Sequence, residues 1–170
     1  IPVDELTAVN LISDCFAKRG YGDAVVVAAD IGATKRARDV AARLDMPLAI
    51  MEKRRLGNND RTETLNVIGV VQGKIAIVVD DEIDTAGSMV GVVDTLLKRG
   101  ATEVHACCTH PIFSEPATER LAKSPLIEVV VTDTVPVKMI DKVTVLPIAP
   151  LLGEAIRRIH TGQSVGAMFE

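Results

Sequence analysis

The sequence predicts an α/β fold with a mainly parallel sheet flanked by helices. Short apolar runs rich in β-branched residues alternate with amphipathic stretches along the whole chain, the pattern of repeated β-α units. The run Ala24–Ala29 is apolar at every position, as expected for a strand buried on both faces. The chain has 170 residues, of which 48% are hydrophobic and 25% charged, so residues 1–170 suit one domain with a real core.

The elements follow from the periodicity of apolar residues. Strands are predicted where short continuous apolar runs occur, at 24–29, 48–51, 66–71, 74–79, 104–109, 128–132 and 143–146. Helices are predicted where apolar residues recur every three or four positions, at 6–19, 35–44, 89–99, 115–123 and 150–160. Gln72 and Gly73 form a tight turn between two strands, and Gly100 ends the third helix.

One segment departs from this alternation. Residues 52–64 are strongly charged, include Gly57 and Asn58, and contain almost no apolar residue. We therefore predict a mobile surface loop, and a loop of this length in a compact domain is often functional.

Composition excludes several classes of protein. The formal net charge is −4 and aromatic residues make up 2%, so a nucleic-acid binder is not expected. No uncharged run is long enough for a membrane-spanning helix. Cys15, Cys107 and Cys108 form no metal-binding spacing, which favours unpaired thiols in a reducing, cytoplasmic compartment.

The most specific motif joins the predicted strand at 74–79 to the following helix. Asp80 and Asp81 end the strand, Asp84 follows, and the small-residue turn Thr85–Ser88 leads into the helix. Backbone amides at a helix N-terminus bind phosphate, whereas adjacent carboxylates suit sugar hydroxyls, directly or through Mg²⁺. An ordinary helix cap would explain one of these side chains but not the whole set. The motif predicts a sugar-phosphate site.

This motif resembles the phosphoribosyl-pyrophosphate loop of type I phosphoribosyltransferase-fold proteins, in the form found in ribose-phosphate pyrophosphokinases. Further segments resemble the same family in the same order: Val26–Ala37, Lys53–Arg55, Thr109–Ser114, Val131–Pro136 and Ile156–Val165. The resemblance covers essentially the whole chain but only the family's C-terminal half, because the family carries a second, related domain before it.

The resemblance implies transfer of a pyrophosphoryl group from ATP to ribose 5-phosphate, with Mg²⁺, in a homo-oligomer that is a hexamer in the full-length family. Lys53 and Arg55 would be catalytic, and Asp30 would hold the metal. Pyrophosphate would lie at Asp30, Gly32 and Ala33. Ribose 5-phosphate, or phosphate, would be bound by Asp80, Asp81, Asp84, Thr85, Ala86, Gly87 and Ser88. The family builds its adenine pocket largely from the other half and a neighbouring subunit, so this chain alone is expected to bind but not to turn over.

Two alternatives remain open at this stage. A phosphoribosyltransferase shares the motif at Asp80 but uses phosphoribosyl pyrophosphate as donor, and it should carry a base-binding hood that the sequence does not suggest. A non-catalytic associated subunit of the same fold should lose catalytic residues, whereas Lys53, Arg55 and both aspartates of the pair are present.

Overall fold

The computed structural model describes residues 3–55 and 63–168. Within these ranges, a seven-stranded sheet runs in the order β3-β2-β1-β4-β5-β6-β7. Its strands are β1 (Ala24–Ala28), β2 (Leu48–Arg55), β3 (Glu63–Ile68), β4 (Ile75–Val79), β5 (Glu103–Cys108), β6 (Glu128–Thr132) and β7 (Val143–Leu146). The helices are α1 (Val9–Ala17), α2 (Thr34–Leu44), α3 (Gly87–Lys98), α4 (Ala117–Lys123) and α5 (Ala149–His160), followed by a short 3₁₀ turn, Gly166–Met168.

The predicted α/β class is confirmed. Neighbouring strands are parallel except for β2 and β3, which are antiparallel. Helices cover both faces of the sheet, which explains why β1 and β4 are apolar at every position. Val25 and Val27 pack into the core beneath α3 and α4, whereas Val26 and Ala28 pack into the core beneath α1 and α2.

The strand order reverses between β1 and β4, and this reversal positions the site. From β1 the chain moves outward to β2 and β3, then returns to place β4 on the other side of β1. Ala28 is in register with Val79, and the Ala29 N–H donates to the Val79 carbonyl at 3.1 Å. The carboxyl ends of β1 and β4 are therefore adjacent, at the place where open α/β sheets bind ligands.

The predicted loop at 52–64 is wrong at both ends. Lys53 is in register with Leu65 and Arg55 with Glu63, so the charged residues extend β2 and β3 into an antiparallel ribbon. Backbone pairing at the sheet edge overrides the charge pattern there, because side chains at an edge can remain in solvent. Residues 56–62, the middle of that prediction, lie outside the described residues.

Other boundaries shift by smaller amounts. The first helix begins at Val9 rather than Leu6, and the strand expected at 66–71 is Glu63–Ile68. A turn with Gly73 at φ +76° does connect β3 to β4, but these strands are not neighbours in the sheet. In the described part of the chain, no helix has the length and apolar character needed to cross a bilayer.

Candidate functional site

A cavity of about 330 Å³ lies at the carboxyl ends of β1 and β4. The β4–α3 turn supplies most of its wall. Asp30 reaches it from the loop after β1, and Lys53 reaches it from β2. The lining comprises Ala29, Asp30, Lys53, Asp80, Asp81, Glu82, Ile83, Asp84, Thr85, Ala86, Gly87, Ser88, Met89 and Val92. The structure therefore brings together the residues predicted at 80–88, Asp30 and Lys53.

The turn that begins α3 is strained and open to the cavity. Ala86 is buried and adopts a left-handed conformation, with φ +59°. Within the described residues, no side chain caps the N-terminus of α3. The amide groups of the first helical turn, from Gly87 onward, are consequently available to an anion, which the helix dipole also favours.

The segment before this turn is fixed by the loop that follows β5. Both the Thr109 and the His110 N–H groups donate to the Asp81 carbonyl, at 3.0 and 2.8 Å. The Ile83 N–H donates to the His110 carbonyl at 3.1 Å, and the Phe113 N–H donates to the Ile83 carbonyl at 3.0 Å. These four bonds hold the acidic end of the site against the neighbouring loop.

The pKa values of the neighbouring residues Asp80 and Asp81 are shifted in opposite directions. Burial, followed by a hydrogen bond with the Asp81 carboxyl group, raises the pKa of Asp80 to about 7. Burial also acts to raise the pKa of Asp81, but the hydrogen bond from Asp80 and the charge of Arg36 outweigh it, so that this pKa is lowered. Arg36 Nη2 lies 3.8 Å from Asp81 Oδ2. Near neutral pH, Asp80 can therefore donate a proton in a hydrogen bond while Asp81 remains an acceptor.

Lys53 links β2 to the helix end of the site. Its exposed side chain places Nζ 3.3 Å from Ser88 Oγ, to which it donates a hydrogen bond. This contact puts a flexible positive charge beside the open amides of α3. Arg55 ends β2, but its side chain lies outside the described residues.

The predicted pyrophosphate residues, Asp30, Gly32 and Ala33, form one turn but do not line a common surface. Asp30 lines the cavity, whereas Gly32 lines a neighbouring groove of about 730 Å³ that also includes Arg36, Asp81 and His110. Ala33 is buried, and its N–H donates to Asp30 Oδ1 at 2.9 Å, so this amide is paired within the turn. A Cβ at Gly32 would lie 3.2 Å from the same oxygen, so a glycine at this position avoids a tight contact within the turn.

Comparison with known proteins assigns the family. The model described as "Phosphoribosyl synthetase-associated domain" matches residues 54–170. The chain belongs to this phosphoribosyl synthetase-associated family. The predicted resemblance to ribose-phosphate pyrophosphokinases is confirmed.

Individual relatives agree with the family match. A curated ribose-phosphate pyrophosphokinase of Halalkalibacterium halodurans is 46% identical over 173 residues, which cover 100% of this chain and 54% of that protein. The crystal structure of phosphoribosylpyrophosphate synthetase from Mycobacterium smegmatis has a TM-score of 0.86 at 36% identity, over 95% of this chain and 53% of that one. The chain thus spans about half the length of the curated relatives it matches.

A more distant structure shares the fold. Purine phosphoribosyltransferase from Pyrococcus horikoshii has a TM-score of 0.53 at 18% identity, over 81% of this chain and 79% of that one. The expected type I phosphoribosyltransferase-like architecture is therefore confirmed.

The acidic residues of this phosphoribosyl synthetase-associated chain fit Mg²⁺ only in part. Among the described residues, no group of three His, Cys, Asp or Glu side chains could hold a metal ion. Asp30 lines the cavity and its Oδ1 accepts a hydrogen bond within its own turn, so Oδ2 is the oxygen that would be available to a metal. Mg²⁺ commonly binds one or two carboxylates together with substrate phosphates and water, so this donor set fits a metal that arrives with its substrate.

Sequence reasoning missed some of the site. Met89 and Val92, on the first turns of α3, are buried and line the cavity, although they were not among the predicted site residues. Arg120, on α4, contacts the turn through the Thr85 carbonyl at 3.0 Å. Nothing in the sequence links these positions, because the contact is to the backbone.

Proposed function

We propose that the chain is the sugar-phosphate-binding, C-terminal half of a ribose-phosphate diphosphokinase. The whole enzyme would transfer a pyrophosphoryl group from ATP to ribose 5-phosphate, in the cytoplasm, giving phosphoribosyl pyrophosphate and AMP. The observation that carries the proposal is the single cavity shared by Asp30, Lys53 and the turn 80–88. These are the residues on which both the phosphate-transfer chemistry and the sugar site depend.

Ribose 5-phosphate would lie along the turn, with its phosphate and its ring hydroxyls bound by different groups. Its phosphate would accept hydrogen bonds from the amides of Ala86 and Gly87, with the hydroxyls of Thr85 and Ser88 adding donors. Its ring hydroxyls would meet Asp80, Asp81 and Asp84. A partly protonated Asp80 suits this role, because it can donate to a hydroxyl oxygen while the Asp81 carboxylate accepts.

Lys53 and Arg55 would stabilise the group in transfer. The anomeric oxygen forms a bond to the β-phosphorus of ATP, the bond from that phosphorus to the α,β-bridging oxygen breaks, and the hydroxyl proton leaves to solvent. Because phosphoryl-type transfer depends on positioning and charge stabilisation, a cation beside Ser88 is well placed to assist. Mg²⁺ held at Asp30 would neutralise charge on the phosphate oxygens.

The chain alone would bind ribose 5-phosphate without catalysing the transfer. It spans about half the length of its curated relatives. We propose that the remaining half and neighbouring subunits of a homo-oligomer, a hexamer in the full-length family, hold the adenosine part of ATP.

Calorimetry and a coupled AMP assay test this function. The chain should bind ribose 5-phosphate more tightly than ribose, and release no AMP from ATP. In the full-length protein, Lys53→Gln should lower kcat by about 100-fold or more while ribose 5-phosphate affinity changes little. Lys98→Gln is the matched control, since Lys98 is exposed at the opposite end of α3 from the cavity.

Three outcomes would contradict the proposal. Failure of the chain to bind ribose 5-phosphate would remove the sugar site, and normal turnover by Lys53→Gln would remove the catalytic lysine. Release of pyrophosphate from phosphoribosyl pyrophosphate on addition of a base, without ATP, would favour a phosphoribosyltransferase instead.

A further inference from the structure

Arg120 contacts the backbone of the β4–α3 turn. Its Nη1 donates a hydrogen bond to the Thr85 carbonyl at 3.0 Å. Among the described residues that line the cavity, none comes from α4, so Arg120 reaches the turn from outside the cavity lining. A Cβ at Gly87 would stand 3.3 Å from the same nitrogen, which shows how closely the two segments approach.

This contact fixes the direction of one peptide group. The Thr85–Ala86 peptide is trans, and in a trans peptide the carbonyl and the N–H point in opposite directions. Because the Thr85 carbonyl points toward Arg120, the Ala86 N–H points away from Arg120, and Ala86 itself lines the cavity. This N–H is one of the groups that would receive the phosphate under the proposed function.

The turn needs such a restraint. Ala86 at φ +59° occupies a region that costs an L-residue about 1–2 kcal/mol. Strained conformations persist only where surrounding contacts over-determine them. If the Thr85 carbonyl were released, rotation of the peptide would relieve the strain and turn the Ala86 N–H out of the cavity.

The helix that carries Arg120 is held in place at two points. Leu121 and Ala117, on the same helix, are fully buried, so α4 is anchored in the core. The loop before α4 is bound through Phe113 to Ile83, immediately before the turn. The neighbouring carboxylate, Glu119, pairs instead with Lys123 at 2.5 Å.

We propose that Arg120 is a positioning residue for the phosphate of the sugar substrate. It acts through the Thr85–Ala86 peptide, keeping the Ala86 amide directed at the anion. The inference rests on the proposed function, and it adds a residue from a separate helix to the sugar-phosphate site.

The test compares Arg120→Met, Arg120→Lys and Arg38→Met in this chain. Methionine keeps the length of the side chain but removes the donor, whereas lysine retains a charged donor. Arg38, exposed on α2, is the control for loss of one positive charge. Amide spectra in ¹⁵N NMR report folding and the Ala86 N–H, and calorimetry gives the affinity for ribose 5-phosphate, inorganic phosphate and ribose.

Arg120→Met should weaken ribose 5-phosphate binding by about 10- to 100-fold, the usual effect of losing a charge-assisted hydrogen bond. Binding of ribose should not change, because the sugar hydroxyls meet the acidic end. Arg120→Lys should recover part of the affinity. The Ala86 amide resonance should shift on adding phosphate to the wild type, and this shift should be lost in Arg120→Met.

Each contrary result has a distinct meaning. If the wild type binds ribose 5-phosphate and Arg120→Met binds it equally well, this inference fails and the proposed function stands. Equal weakening in Arg120→Met and Arg38→Met would show a general charge effect and overturn the positioning role. Equal loss of ribose and ribose 5-phosphate binding would do the same. If the wild type binds no ribose 5-phosphate, the proposed function fails, and this inference with it.

Discussion

Asp80→Asn should stabilise the fold, and the gain should depend on pH. The pKa of Asp80 is raised from 3.8 to about 7, chiefly by burial. Between these two values the folded state binds a proton that the unfolded state releases. Stability contributed by this group is therefore complete below about pH 4 and is lost as the pH rises through about 7.

The substitution copies the protonated form. Asp80 Oδ1 accepts the Asp81 N–H at 2.9 Å, and the asparagine oxygen can accept the same bond. The asparagine amide can donate to the Asp81 carboxylate, as protonated Asp80 does. The variant thus retains both hydrogen bonds but no longer titrates.

The magnitude follows from the shift. A change from 3.8 to about 7, at about 1.36 kcal/mol per pKa unit, sets a ceiling near 4 kcal/mol. Solvent reaches part of the side chain and the two carboxyl groups titrate together, so we expect about 2 kcal/mol. The difference between variant and wild type should grow from about pH 4 to about pH 7 and then stay constant.

Urea denaturation at a series of pH values measures this difference. Asp94→Asn, at an exposed carboxylate on α3, controls for the loss of one negative charge. A stability difference that does not change over the range, or a variant less stable than the wild type at about pH 8, would refute the argument that burial raises the pKa of Asp80.

Two further predictions concern stability away from the site. Gly69→Ala should destabilise the protein by about 2–4 kcal/mol, because Gly69 has φ +114° and a Cβ there would lie 2.9 Å from the Ala49 Cβ. Gly153→Ala is the control: Gly153 lies on α5 with open space around it, so this substitution should stabilise the protein by up to about 1 kcal/mol. Thermal denaturation of both variants tests this, and equal melting temperatures would contradict it. Glu128→Gln should lower the free energy of unfolding by about 1–3 kcal/mol at neutral pH. Burial acts to raise the pKa of Glu128, but hydrogen bonds from Thr144 and Arg19, both at 2.5 Å, outweigh it, so the pKa is lowered. Stability from a lowered carboxyl pKa is lost as the pH falls through that value, so chemical denaturation should show the cost shrinking in acid, and a cost that persists there would contradict the assignment.

Sequence reasoning located strands well where β-branched and apolar residues are concentrated. β6 and β7 have the predicted limits, and β1 and β4 differ by one residue. Burial on both faces explains this for β1 and β4, which are apolar at every position, whereas β7 is a half-buried edge strand recognised by its valines. The charged ends of β2 and β3 could not be recognised in the same way. Their pairing depends on a partner strand that the local pattern does not reveal, so that pattern is typical of a loop.

In the candidate site, too, some features could be predicted from the local sequence and others could not. The turn 80–88 could be predicted because its residues are consecutive and their types express its chemistry. The family resemblance implied a catalytic role for Lys53, but nothing in the sequence predicts its contact with Ser88. The raised pKa of Asp80 and the contact of Arg120 with Thr85 depend on how distant segments pack, and neither leaves a local signature.

Two destabilising features, the partly buried carboxyl group of Asp80 and the left-handed conformation of Ala86, lie close together in this turn. Both suit the binding of an anionic sugar. Two charged carboxylates near an anionic ligand would oppose its binding, but burial keeps Asp80 partly neutral at the strand end. At the helix end, the left-handed Ala86 allows successive amides to converge where the anion would lie. Both features destabilise the unliganded fold, as expected where structure is held for binding. A change that relieves either one, such as Asp80→Asn, should therefore raise the stability of the unliganded fold.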